Sequence, residues 1–320
     1  MLLDKHWYVL DILIKGGLLP SKLEERDWEL LMRRIRDGKC TPFLGAGAAH
    51  GVLPLGSQIA RKWAQDFGYP LEDSGNLARV ATYLAVQYDP MYPKDLLLKD
   101  WFKNPKPPDY NAANEPHATL ASLPVSIYMT TNYDPFMTGA LKAAGKNPHR
   151  ELCRWNNFIK DSPSIFVQDP DFEPSDKEPV VFHLHGHDEY PESLVLTEDD
   201  YLDFLVSISR DGELLPHQVR RCLAGTSLLF IGYSLADWSF RVLFRGLVTS
   251  VEQSLRRISV TVQVPPSTGD ENSPGPEPSE IQDYLAKYFD QIDIRVYWGT
   301  AQDFMRELGE HWEAFQKENG

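Results

Sequence analysis

The chain has 320 residues, of which 42% are hydrophobic and 24% charged, and its formal net charge is −14. This composition is typical of a globular protein with a full core, and the acidic charge argues against direct nucleic-acid binding. No apolar run approaches the ~20 residues that cross a bilayer, so we expect a cytoplasmic protein without a membrane partner.

The three cysteines are too far apart to act together. Cys40, Cys153 and Cys222 form no CxxC pair. This spacing excludes both a disulfide framework and a cysteine-built zinc site. We therefore expect reduced core thiols and no bound metal.

Two helices are predicted before the first strand, from the apolar spacing of residues 6–17 and 25–38, and glycines end both. We assign residues 1–37 to an N-terminal helical extension. Residues 38–320 are predicted to form the main domain.

Six apolar, β-favouring runs follow, separated in several places by helical stretches. They occupy residues 41–45, 125–130, 179–185, 226–232, 258–264 and 292–298. Strands that alternate with helices predict an α/β fold, here a Rossmann-like parallel sheet flanked by helices. Helical insertions are predicted at about 57–115 and 198–222, and a Pro-, Ser- and acid-rich flexible loop at about 265–280.

Four polar or glycine-rich segments start where predicted strands end, which is where open α/β sheets bind ligands. They span residues 45–54, 130–136, 183–191 and 232–240. Each segment alone has an ordinary structural explanation: a tight turn, a helix cap, a hydrogen-bonded histidine or a strand-to-helix turn.

Together, the order and spacing of these segments resemble the sirtuin fold, and specifically the zinc-free sirtuin-like domains of bacterial immunity, from about Thr41 to Trp298. In that family, strands lead into Gly-Ala-Gly, a Thr-Gln-Asn-Ile-Asp type motif, His-Gly and Gly-Thr-Ser. The region around His117 also looks like the immune branch. The matching positions here are Gly45, Ala46, Gly47, Thr131, Asn132, Tyr133, Asp134, His185, Gly186, Gly232, Tyr233 and Ser234.

The sequence also departs from the sirtuins that remove acyl groups from lysine. It lacks their four-cysteine zinc module and their Val-x-Phe-Gly-Glu type segment, which pairs with the peptide substrate. Pro54 is followed by Leu-Gly-Ser and not by the usual Asp-Phe-Arg. The missing zinc module and peptide segment argue against peptide deacylation.

The resemblance implies that residues 38–320 are an NAD-binding catalytic domain with NAD⁺ as substrate. We predict an NAD⁺ glycohydrolase in which Asn132 orients ribose hydroxyls or water and His185 accepts a proton. The Gly-Ala-Gly turn is expected to offer N–H groups to the pyrophosphate, and Asp134 to accept from the nicotinamide carboxamide. The predicted NAD⁺ contacts are Gly45, Ala46, Gly47, Ala48, Thr131, Asp134, Gly232 and Ser234.

Two other functions remain open. One is an NAD-dependent protein deacylase, and the other is a non-catalytic module that binds NAD⁺ or an ADP-ribose-type signal. The joint presence of Asn132 and His185 favours chemistry. His183, His185 and His187 lie at alternate positions, but they do not follow the His-x-His-x-Asp-His order of metallohydrolases, and we predict structural partners for His183 and His187.

An enzyme that destroys NAD⁺ must be silent until it is needed, and no sensor domain is evident in the chain. The resemblance implies an antiviral effector that is activated by homo-oligomerisation or by a separate partner, either a sensor or a hexameric ATPase. We predict the subunit or partner surfaces at residues 1–37 and in the last helix, around Phe304 to Phe315, because we expect the apolar residues of both segments to be exposed.

Overall fold

The computed structural model describes residues 23–102, 105–211, 214–233, 259–264, 278–290 and 294–319. Helices and strands are numbered over these residues. The helix predicted at residues 6–17 lies outside the described residues, and so do residues 265–277 of the predicted loop. The last residues of that predicted loop, 278–280, begin a helix.

Within the described residues, seven strands form one sheet, and each paired strand runs parallel to its neighbour. Their order across the sheet is β3-β4-β2-β1-β5-β6-β7. This confirms the predicted Rossmann-like parallel sheet and its six predicted strands; β3 was not predicted. The strands are β1 Cys40–Leu44, β2 Ile127–Thr130, β3 His149–Leu152, β4 Val180–His183, β5 Ser227–Ile231, β6 Ser259–Gln263 and β7 Ile294–Trp298.

Helices cover both faces of the sheet. Alternate side chains of β2 show this, because Tyr128 belongs to one hydrophobic cluster while Ile127 and Met129 belong to another. The α-helices are α1 Glu25–Arg36, α2 Gly56–Phe67, α3 Leu77–Gln87, α4 Tyr92–Leu97, α5 Pro116–Ala121, α6 Phe136–Ala143, α7 Ile165–Gln168, α8 Glu198–Arg210, α9 His217–Gly225, α10 Pro278–Asp290 and α11 Ala301–Asn319. None of the described helices combines the length and the apolar character that crossing a membrane requires.

Helices α2 to α4 form a layer with its own apolar cluster, built around Trp63, Leu84 and Leu97. A buried ion pair ties this layer to α8, where Lys94 Nζ lies 2.8 Å from Asp200 Oδ1. The layer therefore packs against the segment that follows β4.

Helices α1 and α11 pack against each other and the sheet. Trp28 of α1 is 2% exposed and stacks on Phe304 and His311 of α11, at centroid distances of 5.4 and 4.4 Å. Trp312 and Phe315 also pack partly buried against this cluster. The expectation that these apolar side chains are exposed is wrong, because the two amphipathic helices bury them against each other.

Candidate active site

The loops after β1, β2, β4 and β5 begin at one level of the sheet. Leu44 pairs with both Thr130 and Ile231, and Thr130 pairs with His183. The chain order reverses at β1, because β2 lies on one side of β1 and β5 on the other. Ligands of open α/β sheets bind in the crevice beyond the strand ends at such a reversal. The four predicted segments thus meet at one edge, which is the candidate active site.

The glycines after β1 lie in backbone contact with the loop after β5. Gly45 N donates to Ile231 O and Gly47 N donates to Gly232 O, both at 2.9 Å. A β-carbon on Gly47 would lie 2.8 Å from Gly232 Cα, and one on Gly232 would lie 2.2 Å from Ala48 N. Gly232 also has a φ of +77°. These glycines are required because a side chain would separate the two loops.

The turn after β1 does not offer all its N–H groups to a ligand. Gly45 N bonds to the last residue of β5, Gly47 N bonds to the loop after β5, and Ala48 N donates to Gly45 O at 2.9 Å. The expectation of open donors is therefore wrong for these three groups. Ala46 is exposed, and NAD⁺ contact at positions 45–48 stays a prediction.

Asn132 connects the loop after β2 to the turn after β1. Its side-chain Nδ2 donates to Gly45 O at 3.0 Å, and its backbone N donates to Thr130 Oγ1 at 2.9 Å. The side-chain oxygen of Asn132 makes no hydrogen bond to any of the described residues. The amide is thus held from one end, while its oxygen is available to a ribose hydroxyl or a water molecule.

The neighbours of Asn132 have structural partners of their own. The Thr131 hydroxyl lies 3.0 Å from the Tyr233 hydroxyl, which donates to Leu44 O at 2.8 Å. Asp134 is buried, and its Oδ1 accepts from Phe136 N at the start of α6. Burial raises the pKa of Asp134. The carboxylate of Asp134 thus bonds the first N–H of α6, although the N-cap of this helix is Pro135, and its contact with nicotinamide stays a prediction.

His185 follows β4 and differs from its neighbours in having a free imidazole. The residue is 6% exposed, and its ring lies edge-on to Tyr201 and Phe204, at centroid distances of 5.3 and 5.0 Å. In the part of the chain that the structure describes, neither ring nitrogen makes a hydrogen bond. Burial lowers the pKa of His185 to about 3, so the imidazole is neutral at physiological pH and one ring nitrogen keeps a free lone pair.

His183 is hydrogen-bonded through both ring nitrogens. Nδ1 lies 2.8 Å from Asn132 O, and Nε2 accepts from Arg150 Nε at 3.1 Å. Burial, reinforced by the Arg150 charge, lowers the pKa of His183 well below its usual value. The prediction of a structural partner for His183 is confirmed.

His187 is also held by the protein. Its Nδ1 accepts from Glu189 N at 3.3 Å, and its backbone N donates to Ser193 Oγ at 3.1 Å. Burial lowers the pKa of His187 to about 3. Its predicted structural partner is confirmed as well, and within the described ranges no cluster of His, Cys, Asp or Glu side chains is placed to hold a metal ion.

Arg150 is the part of the site that the sequence did not reveal. It lies on β3, the unpredicted edge strand, and its guanidinium reaches the loops after β2 and β4. The strand is four residues long and begins His-Arg-Glu, so it carried no strand signal. Ser234, the last predicted contact, lies outside the described residues.

Comparison with known proteins gives one family and several relatives. Residues 126–290 match the family described as SIR2-like domain. A protein named NAD(+) hydrolase ThsA from Cytobacillus dafuensis is 32% identical over 213 residues, covering 64% of this chain and 37% of that protein. One of the same name from Bacillus cereus (strain MSX-D12) is 22% identical over 227 residues, covering 70% and 43%.

The chain thus spans less than half the length of these curated relatives. Among solved structures, a chain described under "Structural Basis for the Mechanism and Regulation of Sir2 Enzymes" aligns with a TM-score of 0.41 and 11% identity. That alignment covers 92% of this chain and all of the other.

Proposed function

Because the chain belongs to the SIR2-like domain family, we propose that it is an NAD⁺ glycohydrolase, which cleaves NAD⁺ to nicotinamide and ADP-ribose. The observation that carries the proposal is the neutral, unbonded imidazole of His185, which follows β4 at the same sheet edge as Asn132 and Gly45. The relatives named NAD(+) hydrolase support the same activity.

The proposed reaction breaks the bond between the nicotinamide nitrogen and ribose C1′. The bonding electron pair leaves with nicotinamide and neutralises its ring charge, so an oxocarbenium-like sugar develops. The oxygen of a water molecule adds to C1′, and the proton that this water loses goes to His185. Asn132 orients the water or the ribose hydroxyls through its side-chain oxygen, which holds the reactants in line.

Product analysis tests the activity. The purified chain is incubated with NAD⁺, alone and together with proteins encoded beside it, and nicotinamide and ADP-ribose are quantified. We expect nicotinamide release without any acyl substrate. Release only with an acyl-lysine peptide would make the chain a deacylase, and NAD⁺ binding without cleavage would make it a non-catalytic binding module.

We further propose that the enzyme acts as a cytoplasmic effector of antiviral defence and is activated by homo-oligomerisation or by a partner, such as a sensor or a hexameric ATPase. An NADase that was always active would be toxic to its host, so we expect weak activity of the isolated chain. In cells that carry the chain with its neighbours, phage infection should lower NAD⁺, and His185→Ala should abolish protection.

Light scattering tests the assembly. We expect a homo-oligomer whose number of subunits falls when residues 1–22 are deleted. This deletion leaves α1 in the core. A strictly monomeric protein with full activity would contradict control by assembly while leaving the NADase proposal intact.

A further inference from the structure

Arg150 reaches from the edge strand β3 to the loops after β2 and β4. Its side chain is 11% exposed, and its Nη2 donates to Tyr133 O at 3.0 Å and to Asp188 Oδ1 at 2.5 Å. Nη1 contacts Glu189, which is 65% exposed. A buried guanidinium with several fixed partners holds its position more rigidly than a surface cation.

His183 links Arg150 to Asn132, the residue before Tyr133 in the loop after β2. Arg150 Nε–H can only donate, so the His183 Nε2 that faces it at 3.1 Å must accept. The proton of the neutral ring is therefore on Nδ1, which donates to Asn132 O at 2.8 Å. Protonation of Nε2 would point two N–H groups at each other, and the lowered pKa of His183 is consistent with this.

Two consecutive carbonyls of the loop after β2 thus accept hydrogen bonds from fixed donors. His183 donates to the carbonyl of Asn132, and Arg150 Nη2 and Asp188 N both donate to the carbonyl of Tyr133. The Asn132 side chain is in turn bonded to Gly45 O. The backbone of Asn132 cannot rotate without breaking one of these bonds.

We propose that Arg150 and His183 are positioning residues that hold Asn132 in its working orientation, with His183 acting through its Nδ1–H donor. This inference rests on the proposed NADase function. Neither residue needs to touch NAD⁺ for this role. Misplacing a reactive group by about 1 Å lowers rates without abolishing binding.

Two substitutions at one position test the donor. In His183→Asn, the side-chain Nδ2 replaces Nδ1 and can still donate to Asn132 O. In His183→Gln, the side-chain amide oxygen takes the place of Nε2 and accepts from Arg150 Nε, which leaves Asn132 O without its donor. Glu189→Gln serves as a control, because it changes only the exposed partner of Arg150.

We expect His183→Gln, His183→Ala and Arg150→Ala to lower kcat for NAD⁺ cleavage about tenfold, with KM changed less than about twofold. His183→Asn and Glu189→Gln should keep kcat within about threefold of wild type. Equal loss in the Asn and Gln variants, or wild-type kcat in the Gln variant, would overturn the proposal while leaving the NADase function in place.

Two measurements do not depend on activity, so they separate this proposal from the proposed function. ¹⁵N NMR of histidine-labelled protein should show His183 protonated on Nδ1 in the wild type. Hydrogen exchange should rise at residues 131–134 in His183→Gln but not in His183→Asn. An Nε2-protonated His183, or equal exchange in the two variants, would overturn the positioning role even if the chain never cleaves NAD⁺.

Discussion

Three histidines at alternate positions share one buried segment, and their hydrogen bonds give them different roles. His183 uses both ring nitrogens within the protein, and His187 accepts from a backbone N–H. The ring of His185 lies edge-on to Tyr201 and Phe204 and makes no hydrogen bond to the residues that the structure describes. A general base needs a free lone pair, so His185 is suited to proton transfer and the other two to structural roles.

Substitution of Asn132 and His185 tests whether these two residues are catalytic. We expect Asn132→Ala and His185→Ala each to lower NAD⁺ cleavage by at least ~10²-fold, because each removes a positioning or proton-accepting group. Circular dichroism should show that both variants remain folded. The exposed His50, substituted by Ala, is the matched control and should retain activity; normal turnover in either folded catalytic variant would contradict the assignment.

Gly232 and Gly51 provide a matched test of backbone contact. Both have positive φ, +77° and +88°, but a β-carbon on Gly51 meets nothing within 4 Å. Gly51→Ala should cost only the left-handed strain, about 1–2 kcal/mol. Gly232→Ala adds a clash with Ala48 N, and we expect an extra ~1–3 kcal/mol in the free energy of unfolding, measured in urea. Equal losses of unfolding free energy in the two variants would show that the loops after β1 and β5 can move apart without cost.

At the scale of whole elements, α1 and α11 form one packed unit on the sheet. The amphipathic character of both helices was visible in the sequence, but the partner of each apolar face was not. Trp28 stacks on Phe304 and His311, so these contacts join residues about 280 positions apart in the sequence. A deletion through residue 37 would therefore open the core, and it cannot be interpreted as the loss of a subunit surface.

The effect of removing Trp28 follows from this packing. Trp28→Ala should lower the free energy of unfolding by about 3–5 kcal/mol, because it leaves a cavity between the two helices. Phe158→Ala is the control, since Phe158 is 86% exposed. This substitution should change the free energy of unfolding by less than about 0.5 kcal/mol. Urea unfolding at constant pH provides the comparison; a small effect of Trp28→Ala would indicate a loosely docked α1.

For the whole molecule, buried neutral histidines make stability depend on pH. Burial lowers the pKa values of His183, His185 and His187 in the folded state. Below pH ~6.5, the unfolded chain therefore binds more protons than the folded one, and stability falls as pH falls. Asp134, whose folded pKa is raised by burial, acts in the opposite sense and moderates the slope.

We expect the free energy of unfolding to fall by about 3 kcal/mol between pH 6.5 and pH 5.5, or roughly 1 kcal/mol per histidine. Urea unfolding at both pH values measures it. His187→Gln should reduce the difference by about a third, and the exposed His50→Gln should leave it unchanged. A flat profile would show that these rings become protonated within the folded protein.

Several features of the fold and site were determined by the sequence itself, because they depend on local patterns. Buried parallel strands need nearly continuous apolar residues, and five of the seven strands are buried at every position. Asn132 and His185 could be located from the sequence because glycine or polar residues mark the ends of the strands that precede them. The placement of these residues at one edge follows from parallel strands with a chain reversal.

Only the tertiary structure decided the remainder, because it depends on contacts between distant segments. Strand β3 is short and polar, and it is a strand only because its backbone pairs with β4. The sequence could not show that the N–H groups after β1 bond to the β5 loop, or that Arg150 fixes the tautomer of His183. Hydrogen-bond partners are set by which backbones lie side by side, and no local pattern records that arrangement.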